Sequence, residues 1–170
     1  LDSLPHLPFS LDSLSTGRLS ITVKELKNPE IIEAGEFYNK QGATRGVMSV
    51  TTDLGIPSTP RTIFKDSKDM FWIGMDGKIA KYDSNRLEIY GREQGLLISS
   101  ASALFEDSKG RLWVGDNEAI SVIDFEAQII YEISSSLPRT SVYGIIEAHD
   151  GKFWLSRQYS GYDIIDLNNK

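Results

Sequence analysis

The sequence predicts an all-β protein, a β-propeller of four-stranded antiparallel blades, and three observations carry this prediction. Tryptophan occurs at Trp72, Trp113 and Trp154, each 41 residues from the next. The same phrase surrounds each tryptophan, and short runs of strand-forming residues separated by turn residues fill the rest of the repeat. A period of this length, with room for four short strands, is the size of one propeller blade.

The repeated phrase spans residues 64–74, 105–115 and, more loosely, 146–156. Its first half predicts a type I turn, because Asp107 stands at the first turn position and Gly110 at the fourth. Its second half is rich in large residues that favour strands. We expect the tryptophans in the core, since large apolar residues flank them, and burying each contributes about 2–3 kcal/mol.

Four strands are predicted in each repeat. In the second repeat they cover residues 103–105, 111–115, 120–123 and 128–131, and the first repeat has the same order. No part of the repeats carries a long apolar stripe at helical spacing. The predicted blades span about residues 56–90, 95–131 and 136–170.

The number of repeats predicts an incomplete ring. The third repeat stops after its third strand, and Val47–Val50 aligns with the fourth strand of a repeat, which makes it an orphan strand. Three blades are fewer than the four to eight that close a propeller, and open blades expose unpaired strand edges. Two hypotheses remain open. Either further propeller repeats complete the ring, or a homodimer does so with six blades, each orphan strand filling the partner's incomplete blade.

Residues 1–46 do not follow the repeat, and we expect them to form an extended tether that can pack against the propeller. Five of the six prolines lie within the first 60 residues, and prolines among small polar residues favour an extended chain. Within this segment, Ile21–Leu26 could form a lone strand. Asn28–Ala34 could form a short helix, although no capping pattern supports it.

Composition excludes several classes of site and partner. The chain has 170 residues and a formal net charge of −6, which argues against a nucleic-acid or anionic-membrane partner. With no cysteine and only His6 and His149 as histidines, it lacks the ligands for a thiolate or multi-histidine metal site. No apolar run approaches the ~20 residues that span a bilayer. We therefore expect no metal, no cofactor and no membrane span in this chain.

Two features of the turns invite a functional interpretation, but a structural role is favoured for both. Carboxylates cluster in the turns at 66–69 and 107–110, yet Lys68 and Lys109 stand where a calcium ligand would be needed. His149 beside Asp150 resembles a base with its orienting acid, but it occupies the equivalent solvated turn of the third repeat. We predict no catalytic residue.

Candidate ligand-binding residues lie in loops, because the strands of a repeat scaffold are committed to packing. In a propeller, the connections between the second and third strands and those between blades share one face near the central channel. A cation, an amide and an aromatic ring together suit a hydroxyl-rich or anionic ligand. The candidates are Asp76 in the first repeat, Asp116, Asn117 and Glu118 in the second, Arg157, Gln158 and Tyr159 in the third, and Arg139, with Arg61, near the blade-to-blade connections.

The phrase Asp107–Gly115, preceded by Gly95-Leu96 and followed by Val122-Ile123-Asp124, resembles the two-component regulator propeller repeat. That repeat occurs in periplasmic sensor regions of hybrid histidine kinases, especially in gut Bacteroidetes, and in related envelope proteins. The resemblance covers about residues 47–170 and implies a propeller outside the cytoplasm, which in the kinase members is a sensor for carbohydrate-derived signals. The chain departs from those kinases in having no kinase, receiver or helix-turn-helix segment. Its first residues resemble the segment after the lipid-bearing cysteine of envelope lipoproteins, which implies a lipid-anchored precursor.

Three function hypotheses follow. The leading one is a non-catalytic sensory or binding propeller of the periplasm or cell envelope that recognises a carbohydrate or a partner protein. The second is a propeller-type lyase or hydrolase, which the resemblance leaves open. The third is an assembly module whose open blade edge captures a partner strand by β-augmentation.

Overall fold

The structure is a computed structural model that describes residues 19–33, 58–82, 86–117, 119–135, 140–159 and 161–167. Strands dominate these residues, with a 3₁₀ turn at Arg92–Gln94. The strands are β1 (Leu19–Glu25), β2 (Glu30–Glu33), β3 (Pro60–Lys65), β4 (Phe71–Met75), β5 (Lys78–Tyr82), β6 (Arg86–Gly91), β7 (Ala103–Glu106), β8 (Leu112–Gly115), β9 (Ile120–Asp124), β10 (Ile129–Ser135), β11 (Val142–Glu147), β12 (Phe153–Arg157) and β13 (Gly161–Ile165). Within these ranges, no helix has the length and apolarity needed to cross a bilayer.

The strands form three sheets in which every pair is antiparallel, so the all-β prediction is confirmed. The first sheet has the order β2-β6-β5-β4-β3, the second β1-β10-β9-β8-β7 and the third β11-β12-β13. Strand β7 contacts both β3 and β11. The first strand of each repeat is thus the inner edge of its sheet, and later strands lie progressively further out, as in propeller blades.

The sheets contain five, five and three described strands, because each of the first two sheets has the four strands of its repeat and one further outer strand. The extra outer strands come from residues 19–33. Strand β1 pairs with β10 over seven residues, from Leu19 opposite Ser135 to Glu25 opposite Ile129, and β2 pairs with β6. The expected strand at Ile21–Leu26 is therefore present, but it is paired rather than alone.

The short helix expected at Asn28–Ala34 is wrong, because Glu30–Glu33 is a strand. Ile31 and Ile32 are β-branched and favour a strand, and β6 offers an edge whose backbone groups need partners. The predicted orphan strand Val47–Val50 lies outside the described residues.

Apolar cores fill the spaces between neighbouring sheets. Trp72, Leu112 and Val114 belong to the core between the first and second sheets, and Trp113 and Phe153 to the core between the second and third. Trp72 is 4% exposed and Trp113 is fully buried, which confirms the core prediction for both. Trp154 is only partly buried.

The first sheet also has a buried cluster on the side that faces away from the second sheet. Successive side chains of a strand point to opposite faces, so Ile73 points away from Trp72. This cluster consists of Ile73, Met75, Ala80, Leu87 and Ile89, none of them more than 8% exposed. This face is therefore covered at the cluster, whereas Ile63 and Phe71 on the same face are 69% and 43% exposed.

An aspartate organises the turn between the first two strands in the first and second repeats. The Asp66 carboxylate accepts hydrogen bonds from two main-chain N–H groups of its own turn and from Trp72 Nε1 at 2.8 Å. Asp107 does the same, with Trp113 Nε1 at 2.9 Å. These contacts support the structural interpretation of the turns, since each aspartate joins its turn to the core tryptophan of the next strand.

A second contact joins the turn of one repeat to the next sheet. Ser67 donates from its main-chain N–H and its hydroxyl to the Glu106 carboxylate, at 2.7 and 3.0 Å. Ser108 donates in the same way to Glu147, at 2.7 and 2.8 Å. This Ser–Glu contact recurs at both interfaces between sheets because both residues belong to the repeat.

Glycine at the end of the second strand lets the next sheet approach closely. A Cβ added at Gly74 would lie 2.5 Å from the Ala101 carbonyl oxygen, and one added at Gly115 would lie 2.8 Å from Val142 Cβ. Side chains do not fit at those distances. Ser156 occupies the same position of the third repeat.

Candidate ligand-binding site

A polar cleft of about 330 Å³ opens where the inner strands begin. It lies at the end of the sheets that also carries the β4–β5 and β8–β9 connections, which is the face where the loop candidates were predicted. The cleft is lined by Arg61, Ser100, Ser102, Asn117, Ser141 and Tyr143. Hydroxyl groups therefore dominate its wall.

The cleft is assembled from equivalent positions of the three repeats. Arg61, Ser102 and Tyr143 are 41 residues apart, and so are Ser100 and Ser141. Because the inner strands β3, β7 and β11 lie side by side, one residue of each repeat reaches the same wall. The repeat holds the backbone constant while the side chain changes from a cation to a hydroxyl to a phenol.

Arg61 and Asp76 form a bidentate ion pair at the edge of the cleft. Arg61 Nε lies 2.9 Å from Asp76 Oδ1, and the second guanidinium contact, to Oδ2, is 3.1 Å. The hydrogen bond from Arg61 holds the pKa of the Asp76 carboxyl below its ordinary value, and the same bond raises the pKa of Arg61. The predicted candidate Asp76 thus neutralises the charge that Arg61 brings to the cleft.

Asp116 is 2% exposed and organises the connection between the first and second sheets. Its carboxylate accepts hydrogen bonds from the main-chain N–H of Ser99, Ser100 and Asn117, and from the Ser99 hydroxyl, at 2.6–2.9 Å. Because its carboxylate already accepts four hydrogen bonds from the protein, Asp116 has a structural role. Of the predicted candidates, Asp116 shapes the cleft without lining it.

Asn117 lines the cleft and links two repeats. Its side-chain oxygen accepts a hydrogen bond from the Ser141 hydroxyl, and Ser102 donates to the Val142 carbonyl at 2.7 Å. These bonds fix the second and third repeats against each other at the inner edge. The Asn117 amide NH₂ is the group of this side chain that remains to donate to a ligand.

The three candidates of the third repeat do not share one environment. The Arg157 side chain is 7% exposed, pairs with Asp163 and donates to the Thr140 carbonyl at 2.8 Å. Gln158 donates its main-chain N–H to the Ser141 carbonyl at 2.9 Å. Tyr159 is 95% exposed at a positive φ of 60°. None of the three lines the cleft.

Arg139 and Glu118 lie outside the described residues. Sequence reasoning missed Ser100, Ser102, Ser141 and Tyr143, because serines and one tyrosine in a repeat look like ordinary variation. A signal was available, since Ser102 and Tyr143 occupy the repeat position of Arg61, already noted near a blade-to-blade connection.

The arrangement suits binding of an uncharged polar ligand. Among the described residues that line the cleft, Arg61 is the charged one, and its charge is compensated by Asp76. Hydroxyl and amide groups donate and accept hydrogen bonds, and the Tyr143 ring, 57% exposed, offers an apolar face. Among the described residues, no group of three or more His, Cys, Asp and Glu side chains is placed to hold a metal ion.

A family comparison agrees with the repeated phrase. The family described as two component regulator propeller matches residues 95–118, which include the β7–β8 turn, Trp113 and the candidates Asp116 and Asn117. No curated protein matches the chain.

Solved structures with the same fold come from two kinds of protein. The chain is similar to the extracellular domains of two B. thetaiotaomicron proteins described as hybrid two component systems. One is 18% identical over 63% of this chain with a TM-score of 0.51, and the other is 14% identical over 77% with a TM-score of 0.50. It is also similar to a catalytically inactive virginiamycin B lyase from Staphylococcus aureus with quinupristin, 19% identical over 90% of this chain with a TM-score of 0.51.

At these identities the similarity shows the fold alone. The chain spans 15% and 20% of the two extracellular domains and 47% of the lyase. The resemblance inferred from the repeated phrase is nevertheless confirmed by the family match over residues 95–118.

Proposed function

We propose that this chain is a ligand-binding part of an extracytoplasmic sensory propeller, and that the polar cleft at the inner strand ends is its recognition site. The observation that carries the proposal is the convergence of Arg61, Ser102 and Tyr143, one side chain from each repeat, on one wall. Repeat scaffolds bind ligands through such variable positions, because the conserved positions are occupied by packing.

A neutral carbohydrate is the ligand class that the cleft chemistry supports best. Sugar hydroxyls need alternating donors and acceptors, which the serine hydroxyls, the Asn117 amide and the Tyr143 phenol supply. A sugar ring also presents apolar C–H groups that stack on an exposed aromatic ring such as Tyr143. Among the described residues of the wall, the Arg61–Asp76 pair leaves no net charge to attract an anion.

The extracytoplasmic location is part of the proposal. It rests on the family repeat and on the fold shared with two extracellular domains. The proposed role in signalling rests on the same two observations. Four-stranded blades at residues 56–90, 95–131 and 136–170, with residues 47–50 supplying a further strand, remain the predicted organisation of the repeats. In this organisation, either further propeller repeats or a second copy of the chain closes the ring.

The test is a thermal-shift screen of the full chain against neutral and acidic oligosaccharides. A ligand present at about one hundred times its dissociation constant adds about 2.7 kcal/mol to the unfolding free energy, and so raises Tm by about 5–11 °C. We expect a neutral oligosaccharide to give this shift and Tyr143→Ala to abolish it. Tyr162→Ala removes an equally large exposed tyrosine outside the cleft and should keep the shift.

The proposal fails if no oligosaccharide shifts the melting temperature, or if Tyr143→Ala and Tyr162→Ala behave alike. Turnover of a glycan or lactone substrate by the full chain would favour the lyase or hydrolase hypothesis instead. In the described part of the chain, no observation favours that second function.

A further inference from the structure

Strand β1 forms the outer edge of the second sheet. Among the described strands its one neighbour in the sheet is β10, and the two pair over seven residues without a shift of register. The far side of such an edge strand presents main-chain groups with which another strand can pair. Proteins usually prevent this pairing with a short edge strand, a proline, a β-bulge or an outward lysine.

Strand β1 has none of these protective features. It contains no proline, and its pairing is regular from Leu19 to Glu25. Its lysine, Lys24, turns back onto β10, where its Nζ lies 2.6 Å from Glu132 Oε1. The outer strand of the first sheet differs, because β2 has only four residues and a glutamate at each end. Of these two outer edges, β1 is the one suited to accept a strand.

The main-chain groups on the outer side of β1 belong to Ile21 and Val23. Just beyond the end of β1, the Leu26 N–H donates to the Gln128 carbonyl at 2.8 Å, in the same register as the β1–β10 pair. Residues that bond to the neighbour alternate along an antiparallel strand. Counting back from Leu26, the residues with odd numbers direct their N–H and C=O groups away from β10.

The side chains of Ile21 and Val23 are exposed as well. Both are β-branched and apolar, and they are 48% and 59% exposed. They lie on one face of the sheet, where they pair in register with Ile133 and Tyr131 of β10. Addition of a strand would therefore cover apolar surface and satisfy outward main-chain groups together.

The sequence of β1 is complementary to itself. When two copies run antiparallel about a twofold axis at Thr22, Ile21 of each copy lies opposite Val23 of the other. These are hydrogen-bonded pairs, because both residues direct their main-chain groups outward. Lys24 lies opposite Ser20, so no two like charges face each other. A twofold contact requires this match of a surface to itself.

We propose that β1 is a homodimer interface, in which its outer edge pairs antiparallel with β1 of a second copy and Thr22 lies on the twofold axis. The contact joins the two five-stranded sheets edge to edge into one continuous sheet. A single strand pair is a small interface, so association is weak and depends on protein concentration. This inference does not depend on ligand binding at the cleft, and the contact does not close a propeller ring.

The test is disulfide cross-linking of the full chain, which has no cysteine of its own. Thr22 would face its own copy in a pair without direct hydrogen bonds, where Cα atoms are about 4.5 Å apart and a disulfide fits. Ser20→Cys is the matched control, since Ser20 is exposed on the same face of β1 as Thr22. Its two copies would be roughly 14 Å apart, too far for a disulfide.

We expect Thr22→Cys to form a disulfide-linked dimer at least tenfold faster than Ser20→Cys under mild oxidation. The average mass of the unmodified chain should also rise from 19.0 kDa towards twice that value as concentration increases in light scattering.

Val23→Pro tests the strand pairing itself. It removes an outward N–H and leaves the bonds between β1 and β10 in place, and edge strands tolerate proline at such positions. Added to Thr22→Cys, it should slow cross-linking at least tenfold without changing the circular dichroism spectrum. Val23→Lys keeps the N–H but places a charge on the edge, so it should act in the same direction even if the proline variant misfolds.

Three results would overturn the proposal. Equal cross-linking rates for Thr22→Cys and Ser20→Cys would indicate random collision. A dimer in light scattering whose Thr22→Cys form does not cross-link would show that two copies meet elsewhere. A chain that stays monomeric at every concentration, with slowly exchanging amides at Ile21 and Val23, would show that another segment of the same chain covers this edge.

Discussion

The Asp107 carboxylate accepts a hydrogen bond from the indole N–H of Trp113 at 2.9 Å, in the centre of the chain. The same carboxylate binds Arg111 and holds the N–H groups of its own turn. One buried side chain therefore ties turn, strand and core together. Asp66 and Trp72 repeat the relationship, whereas Ala148 in the third repeat cannot make it.

Asp107→Ala should lower the unfolding free energy by about 2–3 kcal/mol, because it leaves the buried Trp113 N–H and the turn without an acceptor. Asp107→Asn is the matched comparison, since it removes the charge and replaces one of the two acceptor oxygens by a donor but keeps the other oxygen, and its loss should be smaller. Urea unfolding followed by tryptophan fluorescence measures both. Equal losses for the two variants would show that a single remaining acceptor oxygen does not stabilise this turn.

Gly115→Ala should cost about 1–3 kcal/mol, because the added methyl group would overlap Val142 Cβ at 2.8 Å and push the second and third sheets apart. Ser156→Ala changes the same repeat position on the open face of the third sheet. It should alter stability by no more than about 0.5 kcal/mol. Denaturant midpoints of the two variants give the comparison, and a tolerated Gly115→Ala would contradict the close approach of the sheets.

Leu26→Ala should lower stability by about 2–5 kcal/mol. Leu26 is 3% exposed in the core between the first two sheets, and its N–H donates to the Gln128 carbonyl at 2.8 Å. Val23→Ala, on the same segment but 59% exposed, should cost far less. A single cooperative unfolding transition that shifts only for Leu26→Ala would establish residues 19–26 as part of the folded unit. Equal, small effects would assign them to a loosely attached arm.

Tyr90 makes stability fall in alkaline solution. Burial raises the pKa of its phenol above the ordinary value near 10, and the neighbouring Glu88 carboxylate raises it further. The neutral phenol stabilises the folded state fully below the pKa of Tyr90 in the unfolded chain. Above about pH 10 the unfolded chain loses the proton first, so the unfolding free energy falls as pH rises. The slope is at most about 1.4 kcal/mol per pH unit. Tyr90→Phe should remove this part of the loss, while Tyr159→Phe, at a 95% exposed site, should not.

Asp76→Asn should change the ligand preference of the cleft from neutral towards acidic oligosaccharides. The substitution leaves Arg61 without its carboxylate partner at the wall. Asp69→Asn makes the same charge change at the exposed Lys65 pair, away from the cleft, and serves as the control. Binding of an acidic oligosaccharide by Asp76→Asn alone, weakening with salt, is the expected result. Identical binding by both variants would place the ligand elsewhere.

The periodic part of the fold was predictable from sequence. Tryptophans 41 residues apart, an aspartate at the start of a turn and a glycine after the second strand give the same local structure each time they occur. The inner strands and the turns of all three repeats are where the pattern places them. The location of the cleft was also predicted from the repeat, since the candidates Asp76 and Asn117 both lie at the predicted end of the sheets.

The non-periodic part was not predictable from pattern. The segment around Ile31 has no repeat to compare with, and its strand exists because the edge of β6 needs backbone partners. Whether Arg157 faces a ligand or pairs with Asp163 depends on which strands adjoin, and this contact removed it from the cleft.

The sequence by itself determined the repeat, the antiparallel strands, the buried tryptophans and the family resemblance, because each of these depends on spacing within a few tens of residues. Only the tertiary structure decided that residues 19–33 add outer strands to two sheets, that Asp76 neutralises Arg61, and that the first sheet buries apolar side chains on both faces while Ile146 and Tyr162 of the third sheet are exposed. These features are contacts between segments distant in the chain. They form because strand edges, charges and apolar faces are stabilised by whichever complementary groups the fold brings close to them.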